Sequence, residues 1–140
     1  MRAGCLALAV LAGLLSSALA QSTKSVWTGV YTAAQAATGE EIYFAACARC
    51  HGDDLAGLER APALAGGTFG QRWDGATLKK LFERVEQMPP DDPGARLTPQ
   101  KCADVTAFLL SANDVPAGTA KLAADKDLLA DITYTSQRPK

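Results

Sequence analysis

Histidine is almost missing from this 140-residue chain; the single one is His51. Its scarcity excludes a structural zinc site built on two histidines and a three-histidine catalytic zinc. A two-histidine-one-carboxylate iron site is excluded as well. Methionine occurs twice, and apart from the initiator only Met88 remains. Charge of one sign does not accumulate. Fourteen Lys and Arg stand against fifteen Asp and Glu, for a formal net charge of -1. With no basic cluster, the electrostatic footprint of a nucleic-acid binder is lacking. Hydrophobic residues at 48% and charged residues at 21% give an ordinary globular balance, neither disordered nor collagen-like. The length suits one domain, and the chain has no internal repeats.

Long apolar runs are also scarce. The one that exists, Leu6 to Leu15, lies between Arg2 and an Ala18-Leu19-Ala20 ending. A basic start, a short apolar stretch and an Ala-x-Ala site predict a secretory signal peptide over residues 1–20. The run is short for a membrane span. A lipid anchor would need a Cys after it, whereas Cys5 precedes it. Removal of residues 1–20 takes away one charge, Arg2, and leaves no second run of spanning length. The expectation is a periplasmic protein with no membrane span after cleavage.

Residues 21–31 read as an irregular lead-in whose Val26, Trp27, Val30 and Tyr31 fold back onto the domain. Thr32 with Gln35 three residues on resembles a capping box. It opens a helix running to about Cys50, with Ala36, Gly39, Tyr43 and Ala46 on one narrow face. Gly39 inside a helix costs about 1 kcal/mol against Ala, which a close approach by another helix would offset. Glycines and Pro62 punctuate Gly52 to Gly70, which reads as loop. Such a long irregular stretch in a small domain wraps something or carries a site. A second helix spans about Thr77 to Gln87, with Leu78, Leu81, Phe82 and Val85 as its apolar stripe, and Pro89-Pro90 ends it. Asp91 to Leu97 is another loop. Thr98 as cap and Pro99 at the first helical position open a third helix to about Ser111. Residues 112–140 read as an extension packed on the domain, with a helical turn near Asp125 to Leu129. No period-2 run marks a strand, so the predicted class is all-α with long loops.

Cys47-Ala48-Arg49-Cys50-His51 matches C-x-x-C-H, the attachment sequence for c-type haem. Two intervening residues put both sulfurs on one side of a helical turn, spaced for thioether bonds to the porphyrin vinyl groups. The adjacent His then offers Nε2 to iron as a proximal ligand. A thioredoxin-type C-x-x-C would open a helix after a strand; here the motif closes a helix and no strand pattern precedes it. A zinc half-site lacks its second ligand pair. Export agrees with haem attachment, which in bacteria takes place outside the inner membrane.

Six-coordinate iron needs a ligand opposite His51, and Met88 is the one thioether outside the leader. The chain between them is long enough to pass around a haem edge, and thioether ligation raises the potential. The competing role for Met88 is gap filling in the core. Cys102 is left over, either an inert buried thiol on the apolar stripe of the last helix or the site of an intermolecular disulfide. Asp53-Asp54 and Asp91-Asp92 read as solvated loop charges rather than metal ligands. Lys79 and Lys80 belong to the exposed face of the middle helix.

Cys47 to His51, Gly52, Pro62 and Met88-Pro89, in this order, resemble class I monohaem cytochromes c, over about Thr32 to Ser111. The resemblance implies a cytochrome c domain over residues 32–111 with three core helices around one covalently bound haem c. It implies that the first and last of those helices cross, with Gly39 and Tyr43 meeting Val105, Phe108 and Leu109. The stretches Ser25 to Tyr31, Ala61 to Gly67 and Val115 to Gly118 are similar to bacterial single-haem cytochromes associated with quinoprotein alcohol or sugar dehydrogenases. By the same resemblance, the Pro62 carbonyl would accept the other N–H of His51. Haem chemistry makes Trp73 a donor to a propionate or simply a large core residue, and Arg72 a propionate partner or a surface charge. The expected function is electron transfer by His51/Met88-ligated haem iron rather than an enzymatic activity. Redox proteins would be its partners: a quinoprotein dehydrogenase, and a terminal oxidase or other cytochrome. The carrier would be monomeric or weakly associated, or else a tightly held cytochrome subunit of a dehydrogenase complex. A small haem peroxidase or gas-binding haem sensor is the alternative if Met88 is not a stable ligand.

Overall fold

The computed structural model describes residues 24–59, 61–88 and 96–139. Residues 1–23 with Cys5 and the expected signal peptide, Pro89-Pro90 and Asp91-Asp92 lie outside the described residues. Helix α1, Ala33–Ala46, begins where the Thr32 side chain accepts a hydrogen bond from the Gln35 N–H at 3.2 Å. Only half of the predicted capping box forms. The Gln35 side chain turns inward instead, donating to Asp104 Oδ1 and to the Leu122 carbonyl, each at 3.0 Å. It also accepts from the Leu122 N–H at 2.7 Å. Burial of Gln35 thus satisfies the backbone of the C-terminal extension, since an unpaired buried polar group is costly.

Helix α5, Pro99–Ala112, is buried continuously from Cys102 to Leu110. A helix apolar nearly all round belongs in the interior, and α5 is the central element. It crosses α1 at Gly39, where an added Cβ would lie 1.9 Å from the Asp104 carbonyl oxygen. The helix-interior glycine is therefore the condition for the crossing. Tyr43 packs on Phe108 with ring centroids 5.2 Å apart. Cys102 is fully buried, and burial first, then the nearby Glu86, pushes its thiol up to about 11. A thiol so enclosed cannot reach another molecule in the folded state, which removes the intermolecular disulfide.

Helix α4, Leu78–Glu86, has its predicted stripe, with Leu78, Leu81 and Phe82 buried, and rests on α5. Two expectations need correction. The first helix does not run unbroken to Cys50. It stops at Cys47 (φ -128°), and a separate turn, α2, spans Ala48–His51. The stretch read as loop to Gly70 contains α3, Gly66–Trp73. Its opening glycine pair hid it, because Gly disfavours helix by about 1 kcal/mol, while Phe69 and Trp73 one turn apart supply the packing.

The ends of the described chain meet. Strand β1, Lys24–Ser25, pairs in parallel with β2, Ile132–Thr133, below the length at which alternation gives a signal. The Trp27 indole N–H donates to the Thr135 carbonyl at 2.9 Å, and the Tyr31 hydroxyl donates to the Val115 carbonyl. Between these lies α6, Lys126–Ala130, capped by Asp125, with Leu129 fully buried. The fold is all-α but for this two-residue pairing. No helix among the described residues is long and apolar enough to cross a membrane.

Candidate cofactor cavity

One cavity of about 710 Å³ opens among α2, the following loop, α3, α4 and α5. Its size falls within the range of small-molecule and cofactor sites. Leu58, Leu64, Phe69, Leu81, Val85 and Leu109 make it largely apolar. Every site residue expected from sequence lines it: Cys47, Cys50, His51, Pro62, Trp73 and Met88.

The α2 side is built from short-range contacts. Helix α1 ends at Cys47, and the separate turn α2 carries Cys50 and His51 onto the wall. The Tyr43 hydroxyl, buried at the α1–α5 crossing, donates to the Gly52 carbonyl at 2.7 Å and anchors the end of α2. Burial first, helped by the nearby Asp53 and Asp54 carboxylates, pushes that hydroxyl up to about 12, so it stays protonated and donating. His51 Nδ1 lies 2.9 Å from the Pro62 carbonyl. A carbonyl can only accept, so Nδ1 carries the proton and Nε2 keeps the lone pair that a metal requires.

Asn113, which sequence reasoning passed over, secures that loop. Its side chain donates to the Leu64 carbonyl at 3.0 Å and to the Leu109 carbonyl at 2.8 Å. Its Oδ1 accepts from the Gly66 N–H at 3.0 Å. The only sequence signal was an Asn just past the end of a helix, a common capping residue.

The α4 side presents Leu81, Arg84, Val85 and Met88. Met88 follows the helix end and donates its N–H to the Val85 carbonyl at 3.2 Å. Three arginines, Arg49, Arg72 and Arg84, and one acid, Glu59, line the otherwise largely apolar cavity, and Arg72 of α3 and Arg84 of α4 make no ion pair with a described residue. Trp73 is half-buried, and its indole N–H meets no acceptor among the described residues, unlike that of Trp27. A planar, mostly apolar group with two carboxylates fits these donors: cations and an N–H for the acids, hydrocarbon for the ring, and an imidazole with its second nitrogen poised. Asp54, by contrast, caps its own loop by accepting from the Ala56 N–H. No cluster of metal-binding side chains occurs elsewhere among the described residues.

The family model of cytochrome c oxidase, cbb3-type, subunit III matches residues 34–109. The chain belongs to this family of cytochrome c domains. The match runs from the first turn of α1 to α5 and encloses the whole cavity, while the lead-in and the extension fall outside it. The cytochrome c domain carries covalent haem c and works in electron transfer. No curated protein and no solved structure matches the chain.

Proposed function

We propose that this chain is an exported, periplasmic carrier with a single haem, of the class I cytochrome c type. Cys47 and Cys50 hold the haem through thioethers, and His51 Nε2 and Met88 sulfur are the axial iron ligands. The observation that carries the reading is the His51–Pro62 contact. It commits one imidazole nitrogen as a donor on the wall that also bears both cysteines, across a cavity that reaches Met88. Haem c supplies a one-electron iron couple. The chain's own residues do the rest. Pro62 fixes the His51 ring and tautomer. The apolar wall excludes water and, with thioether ligation, favours the reduced form. Trp73 and Arg72 take the propionates.

The electron would leave and enter through the rim beside Cys47 and Cys50, in small, weak contacts typical of redox partners. The donor in this reading is a quinoprotein alcohol or sugar dehydrogenase, and the acceptor is a terminal oxidase or another cytochrome. The resemblance of residues 25–31, 61–67 and 115–118 supports that assignment.

Met88→Ala tests the ligand set. The Met-to-iron charge-transfer band of the oxidised protein should vanish. The midpoint potential should fall by about 0.1 V or more, within the ~0.8 V that axial ligands span. If neither changes, the ligand assignment is wrong. A native protein that lacks the band and binds CO rapidly would instead favour the peroxidase or gas-sensor reading.

A further inference from the structure

The axial ligand assigned to Met88 sits at the end of a helix that touches the cavity on one side only. Leu81, Arg84, Val85 and Met88 form that side. Leu78, Phe82 and Glu86, each four residues apart, form a second stripe at a different angle. Behind α4 lies the C-terminal extension, beyond the residues matched by the family model. The extension holds α4 at both ends. Ahead of the helix, Tyr134 N–H donates to the Ala76 carbonyl at 2.8 Å, Gly75 N–H donates to the Tyr134 carbonyl at 2.9 Å, and Thr77 bridges Thr133. At the far end, Lys126 Nζ lies 2.7 Å from Glu86 Oε2, two residues before Met88. Between these points Leu129 is fully buried and α6 packs on α4.

We infer that the C-terminal extension is a clamp that positions Met88, with Leu129 and Lys126 as its positioning residues. The inference rests on Met88 as an iron ligand. Local contacts do not explain how the helix end is held: after Glu86, the described backbone makes only the last-turn bonds from Gln87 and Met88. With α5 supporting one flank of α4, the extension closes the other and keeps the helix from rolling away from the cavity and drawing the thioether with it. Leu129 supplies most of the holding, because a buried aliphatic side chain outweighs a half-exposed ion pair. Lys126 sets the position of the final turn.

The test uses the full-length holoprotein and reads three quantities: the Met-to-iron charge-transfer band, the midpoint potential and the rate of cyanide binding to the oxidised form. Met88→Ala, carried in parallel, reports on the ligand reading itself. Leu129→Ala should weaken the band and speed cyanide binding about tenfold, at a temperature where far-UV circular dichroism shows it folded. Lys126→Glu, a surface change that leaves the core intact, should speed cyanide binding about threefold. Pairing it with Glu86→Lys should restore the native rate. If Met88→Ala abolishes the band while Lys126→Glu and folded Leu129→Ala behave as the native protein, the clamp is wrong and the ligand reading stands. If Met88→Ala leaves the band intact, the ligand reading falls and the clamp falls with it.

Discussion

The two sides of the cavity are held by different means. On the His51 side, the contacts are mostly close in sequence: Tyr43 to Gly52, His51 to Pro62, and the Leu64 N–H to the Leu55 carbonyl at 2.8 Å. On the Met88 side, the helix rests on α5 and is held from behind by residues forty and more positions later, in α6 and β2. A ligand inside a locally hydrogen-bonded loop keeps its orientation when distant packing loosens. A ligand at a helix end depends on whatever holds the helix. The second arrangement is the one that can yield without unfolding the molecule, since regions held by fewer local bonds open first.

Breaking each side separately should expose the difference. Leu129→Ala should cost about 2–5 kcal/mol in urea unfolding, and its spectroscopic effect should fall on the Met88 side. Asn113→Ala removes three side-chain hydrogen bonds, two of them to the loop after Pro62 and one to Leu109 of α5, and should cost about 2 kcal/mol. It should alter the paramagnetic NMR shifts of the haem methyl groups, which report the His51 ring orientation, and leave the Met-to-iron band in place. Loss of that band in Asn113→Ala would mean that the two sides are not independent. Tyr43→Phe leaves the Gly52 carbonyl without its donor and should cost about 1–2 kcal/mol. Because the hydroxyl is pushed up to about 12, the native protein should show no tyrosine titration from Tyr43 below pH 10.

The smallest effect concerns Asp74. Its carboxylate accepts from the Ser136 backbone N–H at 2.7 Å and from the Ser136 hydroxyl at 2.9 Å. The backbone bond, then the side-chain bond, holds it below the usual carboxylate range. A depressed folded-state value stabilises the protein above the ordinary carboxylate pKa of about 4 and is lost as pH falls through the lower, folded value. Asp74→Asn should therefore lower the urea midpoint slightly at pH 7 and leave it unchanged at pH 2. Equal shifts at both pH values would assign the effect to hydrogen-bond geometry instead of charge.

Much of the His51 side was legible in the sequence because its chemistry is written in contiguous residues. Cys47 to His51 is a motif, Gly39 is a conspicuous glycine in a helical face, and Thr32 and Thr98 are capping residues that do cap. Pro62 required a family resemblance, since nothing in its local sequence says which carbonyl a histidine eleven positions away will choose. The α3 helix was hidden because the cost of Gly66 and Gly67 is outweighed by tertiary packing of Phe69 on Trp73 and Tyr134. The extension was legible as an extension with one helical turn, which α6 matches, but its contacts were not. Its partners are Gln35, Glu86, Ala76 and Trp27, and no periodicity in one segment encodes contacts with four others. Asn113 escaped notice and Gln35 was read as half of a capping box for the same reason: each uses a side chain to imitate a backbone pairing partner, at a place that only the completed fold defines.

Parallel pairing of Lys24 with Ile132 has a consequence for the order of assembly. Trp27 donates to Thr135 across 108 positions of chain. Closing so long a loop has a large entropic cost and is slow compared with forming helices. The residues that come first in the described chain therefore settle last, after nearly everything else has been made and packed.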